Sequence, residues 1–568
     1  MPNPHDQDRA RRQLQLVYEA SRTVGESLDV TDTARALADV LVPALGDLAT
    51  VDVAQLVLAG EEPLPPIPGA LRAPTLRRVA LKNAFGGWPA GMVAEGEALP
   101  EIPLRPEYQE IYLGGSVVVG SAEQSRELLG GDPRLIRLMM PPRMHTSLGT
   151  PLYARGLVLG FVMVYRTRES APFDDEDTRL LAEIATRAAL HLDNARRYTR
   201  EHRLAEALQR SLLPPGATSS AAAETAGFFV PAHGGSGGDW FDVLGLSSLR
   251  TGLVVGDVIG HGLAAATGMA RMRTAVQTLA EQDLDPEDLL TRLDDVVQRM
   301  GEEAELPDSV GATCLYAVYD PVTAHCRLAS AGHLAPLVLR PGGDWELVDV
   351  SPGPPLGVGG SPFEVTEVQL PEGSVLALYT DGLVRRRDAA GTSLSTVRAW
   401  LTAACRPGRP LAEIGAELVD RVPAPPVDDV VLLLARTRTL SPGESASWTF
   451  PPDPGVVAEA RSVVAAQLVR WGLEELVFTS ELVVSELVTN GIRYGGGGPV
   501  GLRLICHGHR LVYEVTDASN TQPRLRRART TDEGGRGLFL VAQLTTRWGS
   551  RYGSLGKTIW AEQSLPDD

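Results

Sequence analysis

Four aspartates stand where an apolar run gives way to glycine or a turn: Gly237-Gly238-Asp239-Trp240-Phe241-Asp242, Val254-Val255-Gly256-Asp257-Val258, Leu378-Tyr379-Thr380-Asp381-Gly382 and Val427-Asp428-Asp429-Val430. Carboxylates delivered from strand ends to one point repel each other in low dielectric unless cations neutralise them, so the pattern predicts a hard-metal site. A pair of Mg2+ or Mn2+ ions needs several carboxylate oxygens in open octahedral positions that keep water, which suits aspartate and excludes cysteine. One Asp beside Gly is by itself a turn cap; the expectation rests on the four together. Asp242 and Asp429, each next to a stronger candidate, are expected to support the site or a turn. His261 in Gly260-His261-Gly262 and His333 in Ala331-Gly332-His333 are held in reserve as a general acid or phosphate contact, against the simpler reading of a histidine hydrogen-bonded within a glycine turn.

A second constellation lies near the C-terminus. The run Ser480 to Gly491 reads as a helix, which places Glu486 and Asn490 one turn apart on one face. A carboxylate that orients water and an amide that ligates Mg2+ then point into one pocket. Val515-Thr516-Asp517-Ala518-Ser519 ends a strand, and in Gly534-Gly535-Arg536-Gly537-Leu538 the glycines let backbone N–H groups approach phosphates before the next helix.

These groups need a sizeable frame. At 568 residues the chain exceeds one hydrophobic core and suggests three to four domains. A formal charge of -18 disfavours attraction to nucleic acid or an anionic bilayer. The four cysteines include no CxxC pair and read as buried free thiols. Neither a signal core nor a run of about 18 apolar residues is present, so a cytoplasmic protein without nucleic-acid or membrane partners is expected. Turn-rich segments at 214–220 and 441–446 divide the chain. Ser147 to Tyr153 and Leu157 to Tyr165 read as a strand pair, and the acidic run 174–177 suits the start of a long helix reaching about Leu213. In that helix Leu181, Ile184, Ala188, His191, Ala195, Tyr198, His202 and Ala205 follow heptad spacing. The weakly apolar stripe leaves open an intramolecular amphipathic helix or a coiled coil joining two copies. Between Gly262 and Glu303 two helices are expected, with strands at Thr313 to Tyr319, His325 to Ser330, Pro336 to Leu339 and Val430 to Leu434.

Three resemblances follow from these motifs. Gly149-Thr150-Pro151-Leu152, Gly160-Phe161-Val162 and the Phe173-Asp174-Asp175-Glu176-Asp177 helix start resemble a GAF domain, which implies a sensor whose small-molecule ligand the motifs do not identify. Gln209-Arg210-Ser211-Leu212-Leu213-Pro214, Gly260-His261-Gly262, Ala331-Gly332-His333, Gly353-Pro354-Pro355-Leu356-Gly357 and Tyr379-Thr380-Asp381-Gly382, in this order, resemble the PP2C-type phosphatases of the sporulation stage II E branch. That resemblance implies metal ligation by Asp239, Asp257, the Val258 carbonyl, Asp381 and Asp428, and a phosphorylated anti-sigma-factor antagonist as substrate. The C-terminal residues resemble the GHKL ATPases that act as anti-sigma-factor serine kinases. By that likeness Glu486 is the base, Asn490 the Mg2+ ligand, Asp517 the adenine contact, Gly535 and Gly537 part of the phosphate lid, and Thr558 a second adenine-side contact for ATP. Gly491 replaces a common alanine there, Tyr494 stands where histidine is frequent, and Asp517-Ala518-Ser519-Asn520 lacks the second glycine of the wider superfamily. Residues 439–450 leave no room for the phosphoacceptor helix of a two-component histidine kinase.

The expected architecture is an α+β multidomain chain: a tail (1–19), a GAF-like α/β sensor (20–173), a long linking helix (174–213), a PP2C-like αββα layered sandwich (214–438), a linker (439–448) and a Bergerat-type GHKL α/β sandwich (449–563). The expected partners are the antagonist, a sigma factor and a second copy of the chain. The alternative is a phosphatase whose C-terminal module only sequesters a sigma factor or antagonist, without turnover.

Overall fold

The computed structural model describes residues 4–63, 75–101, 118–168, 170–212, 214, 216–232, 237–260, 262–303, 311–360, 362–384, 393–406, 408–422, 426, 428–521, 537–553 and 556–565. The chain forms two compact units, Met1–Leu204 and Ala205–Asp568.

In the first unit α1 (Pro4–Thr23), α2 (Val30–Leu41) and α3 (Asp175–Leu212) accompany a five-stranded sheet. Its strands are β1 (Leu48–Ala54), β2 (Leu76–Asn83), β3 (Val118–Ser121), β4 (Thr146–Ala154) and β5 (Leu157–Arg166), in the order β2-β1-β5-β4-β3. Asp174 starts α3 by accepting from the N–H groups of Glu176 (3.0 Å) and Asp177 (2.9 Å), the capping its acidic run anticipates. The heptad stripe turns inward: Leu181, Ile184, Ala188 and Ala195 are buried in the core with Leu37, Leu148 and Val162. That part of the stripe is satisfied within one chain. Inside this core Arg78 forms a two-pronged pair with Asp52 (Nε–Oδ1 2.9 Å, Nη2–Oδ2 3.2 Å) and donates to the Val93 carbonyl.

The first module of the second unit has four layers. One sheet contains β8 (Trp240–Gly245), β9 (Thr251–Val258), β10 (Ala312–Asp320), β11 (His325–Ala331), β14 (Pro352–Gly353) and β15 (Thr366–Gln369). The other contains β6 (Ala217–Ser219), β7 (Ala223–Val230), β12 (Leu337–Leu339), β13 (Trp345–Leu347), β16 (Val375–Tyr379) and β17 (Val430–Thr437). Alternation sorts each strand's residues between two cores. Phe241, Val255, Leu315, Leu376, Leu378 and Val431 fill the space between the sheets. Trp240, Val254 and Tyr316 face outward onto α4 (Gly262–Ala280) and α5 (Pro286–Glu303), whose Met269, Met272, Leu289 and Leu293 close that layer. Ala377 and Leu432 face α6 (Leu394–Ala404) and α7 (Leu411–Asp420) through Leu401 and Ile414. This is the expected αββα sandwich, with the predicted helices and strands displaced by no more than a few residues. Cys314 and Cys326 are fully buried, and burial pushes both thiols up to about 12, so they are inert packing groups.

The last module has one sheet, β18 (Ser445–Phe450), β19 (Val500–His507), β20 (Arg510–Asp517), β21 (Arg547–Gly553) and β22 (Gly556–Ser564), in the order β18-β19-β20-β22-β21. The helices α8 (Val456–Arg470), α9 (Val477–Tyr494) and α10 (Gly537–Leu544) cover one face, packing Val464, Leu487 and Val541 on Leu502, Tyr513, Val515 and Ile559. Gly491 has a packing reason: a Cβ there would come within 3.1 Å of Val500 Cγ1 and 3.4 Å of Val515 Cγ1. No helix among the described residues is long and apolar enough to cross a membrane.

The Arg78 and Asp52 side chains are almost wholly removed from solvent, 0% and 4% exposed, so removing one partner strands the other. Arg78→Leu is expected to destabilise the first unit by about 3–5 kcal/mol. Hydrogen exchange of β2 amides under increasing urea measures this; unaltered protection would show the pair to be dispensable.

Candidate metal centre and nucleotide site

The strands β8 and β9 pair from Trp240↔Gly256 to Gly245↔Thr251. Asp239, just before β8, and Asp257 and Val258, at the close of β9, therefore leave the same end of one ribbon. Glycine makes that end tight. A Cβ on Gly256 would sit 2.6 Å from the Trp240 indole nitrogen, and one on Gly238 would overlap the Val258 carbonyl oxygen and come within 3.1 Å of Asp257 Oδ1. The Val258 N–H in turn donates to the Gly238 carbonyl at 3.2 Å.

From the facing sheet, Asp381 opens a turn directly after β16, and Asp428 precedes its neighbour β17. A Cβ on Gly382 would overlap the Asp429 carbonyl oxygen, so these two segments meet backbone to backbone. Thr380 joins the two halves. Its N–H donates to the Val431 carbonyl (3.1 Å), and its hydroxyl both accepts from the Val431 N–H (2.9 Å) and hydrogen-bonds to the Asp239 carboxylate.

The carboxylates influence one another strongly. Burial and the charge of Asp257 hold the Asp239 carboxyl well above the ordinary aspartate range, and the two side chains share a hydrogen bond. Asp257 is pushed up to about 6 by burial, with Asp381, Asp428 and Asp429 adding repulsion. Acidic groups from four separate segments thus share one region. Among the described residues no three carboxylate, imidazole or thiolate side chains close into a complete coordination set. Mg2+ and its like keep several waters and take only one or two carboxylates directly, so an oxygen-only, mutually repelling donor group fits such ions.

The neighbouring acids are engaged elsewhere. Asp429 accepts from the Ala232 N–H (2.8 Å) and the Gly237 N–H (2.9 Å), Gly237 standing two residues before Asp239. Asp242 accepts from Arg273 Nε (2.8 Å) and Gln277 Nε2 (2.7 Å), anchoring α4 to β8. Both play the supporting parts expected of them. His333 is a tie between the sheets: Nε2 donates to the Tyr379 carbonyl (3.2 Å), which leaves Nδ1 to accept from the Thr313 hydroxyl (2.7 Å). Burial lowers its pKa to about 4, so it is neutral near pH 7 and unsuited to act as a general acid there. His261 lies outside the described residues.

In the last module Glu486 and Asn490 are half-buried on α9. A Cβ on Gly537 would overlap Glu486 Oε2, so the start of α10 lies against that carboxylate. Beyond the other end of α9, a Cβ on Gly495 would come 2.8 Å from Asp517 Cβ. Glu486, Asn490, Gly537 and Asp517 therefore occupy one side of the sheet. Asp517 is buried; its Oδ1 accepts from the Ser519 N–H (2.9 Å) and lies 3.3 Å from Lys557 Nζ, while its Oδ2 has no hydrogen-bond partner among the described residues. Gly535 falls outside the described residues.

Thr558 is the correction. In the β20–β22 register Asp517 is opposite Lys557 and Thr516 is opposite Thr558. Successive side chains in a strand point to opposite faces, so Thr558, whose hydroxyl lies 2.8 Å from that of Thr516, is on the far side of the sheet from Asp517. Lys557 takes the place next to Asp517. Alternation in Lys557-Thr558-Ile559-Trp560-Ala561 already held the signal, because Lys557 shares a face with the core residues Ile559 and Ala561. Thr380, also missed, gave no local signal, since its partners come from distant segments.

Comparison with known proteins agrees with this three-part build. Residues 70–192 match the GAF domain, 247–438 match Stage II sporulation protein E (SpoIIE), and 450–562 match the Histidine kinase-like ATPase domain. The chain thus carries a GAF domain, a SpoIIE-type domain and a histidine-kinase-like ATPase domain, in that order. It is 28% identical over 193 residues to phosphoserine phosphatase RsbU of Bacillus subtilis, covering 34% of this chain and 55% of RsbU, so it spans little more than half of that relative. Among solved structures it resembles the RsbU and RsbW domains of Rv1364c from Mycobacterium tuberculosis (24% identity, TM-score 0.36, 61% of this chain and 94% of that one). It also resembles the PP2C phosphatase domain and regulatory fragment of SpoIIE from Bacillus subtilis (17% identity, TM-score 0.34, 39% of this chain and 66% of that one).

The raised Asp257 pKa has a definite sign. Its folded value of about 6 exceeds the unfolded value of about 4, so the native state binds more protons across that window and this group's contribution to stability grows as pH falls through 6. Divalent ions compete with those protons. Mn2+ is therefore expected to raise the melting temperature at pH 7.5 but progressively less below pH 6, while Asp257→Asn should raise the metal-free melting temperature. Scanning calorimetry of both proteins across pH measures this, and a Mn2+ effect independent of pH would contradict it.

Proposed function

We propose that the chain is a metal-dependent protein serine/threonine phosphatase acting on a phosphorylated anti-sigma-factor antagonist, joined to an ATP-binding module of the anti-sigma kinase type and a GAF regulatory domain. The observation that carries this reading is the gathering of Asp239, Asp257, Asp381 and Asp428 from four segments, with Asp257 pushed up to about 6. Asp239, Asp257, Asp381, Asp428 and the Val258 carbonyl would hold two Mn2+ or Mg2+ ions. Bound there, the ions supply an activated water for in-line attack on phosphorus and neutralise charge on the phosphoryl oxygens.

The protein's own contribution is positioning. Thr380 orients Asp239, Asp429 holds the Ala232 and Gly237 backbone before it, and neutral His333 holds β10 against the end of β16, keeping Asp257 and Asp381 in register. In the ATPase module Glu486 would orient the attacking hydroxyl, Asn490 would ligate Mg2+, and Asp517 Oδ2 would accept the adenine amino group. The RsbU likeness and the adjacent ATPase domain support an antagonist protein as substrate, which the kinase would phosphorylate and the phosphatase reset. A sigma factor would be a further partner, and a cytoplasmic location suits such partners. The GAF domain would report an unidentified small molecule.

A second reading, in which the last module sequesters its partner without turnover, draws on the Lys557 ammonium already paired with Asp517.

Release of phosphate from a phosphoserine antagonist protein is expected to require Mn2+ or Mg2+ and to be abolished by Asp257→Asn or Asp381→Asn, as measured by free phosphate. Full activity in both variants would overturn the metal assignment. Label transfer from γ-labelled ATP to the same antagonist, lost in Glu486→Ala, is expected for a working kinase; partner capture with no transfer would establish sequestration instead.

A further inference from the structure

The end of the β8–β9 ribbon opposite the carboxylates is built unusually. Its connection, Leu246 to Arg250, closes with hydrogen bonds from Leu246 N–H to the Arg250 carbonyl (2.9 Å) and from Arg250 N–H to the Ser247 carbonyl (3.1 Å). At its tip two consecutive non-glycine residues, Ser248 (φ 58) and Leu249 (φ 63), are left-handed, a conformation that crowds the Cβ of an L-residue and persists only when surroundings enforce it.

The surroundings are the outer face of the ATPase sheet. The Ser248 N–H donates to Glu562 Oε1 (3.3 Å), and the Ser248 hydroxyl accepts from Arg551 Nη1 (3.0 Å). Leu249 packs with Ile505 and Val512 in a small core of its own. Behind them buried Glu514 pairs with Arg551 (2.5 Å) and with Arg503, which reaches Asp320 at the end of β10 (3.9 Å). Glu514 and Thr516 on β20, and Thr558 and Glu562 on β22, all belong to this outer face, whereas Tyr513, Val515 and Asp517 point to the nucleotide side. A cavity of about 570 Å3, lined in part by Arg551 and Thr558, flanks the contact.

We propose that the outer face of the ATPase sheet is a docking surface for the β8–β9 turn, and that this latch couples nucleotide on one face of β20 to the metal carboxylates at the far end of the β8–β9 ribbon. The coupling rests on the phosphatase and nucleotide readings above; the docking does not. The ribbon is short and hydrogen-bonded along its length, so a shift of its tip is carried to Asp239 and Asp257. By linkage the effect is reciprocal: nucleotide changes metal affinity by the same factor that metal changes nucleotide affinity.

The test uses the full chain, with Leu249→Asp, Glu562→Ala and the acceptor-preserving Glu562→Gln. Hydrogen exchange across Leu246 to Arg250 is expected to quicken by about tenfold in the first two, from loss of buried contacts, and to stay near the unmodified rate in Glu562→Gln. In the unmodified protein a non-hydrolysable ATP analogue with Mg2+ is expected to change the Mn2+ concentration needed for half-maximal hydrolysis of p-nitrophenyl phosphate. Leu249→Asp and Glu562→Ala should hydrolyse it while losing that response. Unaltered exchange in both variants overturns the docking surface; an analogue without effect on the unmodified protein overturns the coupling. No hydrolysis by the unmodified protein with any metal would instead defeat the phosphatase reading, and exchange would still decide the latch.

Discussion

Buried carboxylates that repel one another govern the middle of this molecule. Placing Asp239 and Asp257 side by side, with Asp381, Asp428 and Asp429 near enough to raise Asp257 further, works against folding unless protons or cations compensate. The surrounding architecture supplies what makes the placement tolerable. Two sheets packed through Phe241, Val255, Leu378 and Val431 give each acid a rigid strand end to stand on. Glycines at 238 and 382 permit backbone approaches, and Gly256 the approach of the Trp240 indole, that any side chain there would block. Asp429 spends both oxygens on the backbone N–H groups of Ala232 and Gly237, adding negative potential while holding Gly237 close to Asp239. Asp242 has its charge answered by Arg273 and so contributes anchorage without joining the repelling group.

The same logic decides the part played by His333. A histidine wired by Nε2 to a carbonyl and by Nδ1 to a hydroxyl has no free lone pair and no loosely held proton. His333 is therefore a rigid spacer between the sheets. Its lowered pKa follows from burial, and neutrality lets it sit between two polar groups without adding a charge to a region already rich in them.

How much of this was readable from the sequence differs by residue. The convergence of Asp239, Asp257, Asp381 and Asp428 was foreseeable because each breaks an apolar strand beside glycine or at a turn, a local pattern with a local cause. The helical pair Glu486 and Asn490 was equally plain from its four-residue spacing. The role of Thr380 and the particular partners of Asp429 were not legible, since those partners lie as much as 197 residues away and only the packed sheets bring them together. Thr558 was misassigned because a motif likeness says nothing about strand register, and a shift of one position exchanges the faces of a sheet. The stripe on α3 was ambiguous for a physical reason: alanines and histidines bury little area, so the pattern alone could not choose between a partner chain and the helix's own domain, whereas the core residues Leu37, Leu148 and Val162 did.

Lys557 changes how the nucleotide side should be understood. An aspartate buried beside a sheet end is costly when alone, and the ammonium 3.3 Å from Oδ1 stabilises it in the absence of any ligand. That pairing uses one oxygen. The other, Oδ2, is buried and lacks a hydrogen-bond partner among the described residues, so an amino group arriving from the ligand can be accepted without displacing the lysine. Under the proposed reading, Lys557 and an adenine would be neighbours rather than competitors, with the lysine holding Asp517 in place. If Asp517 does take the adenine as proposed, the pair would be compatible with nucleotide binding, because only one of its oxygens is committed to the lysine.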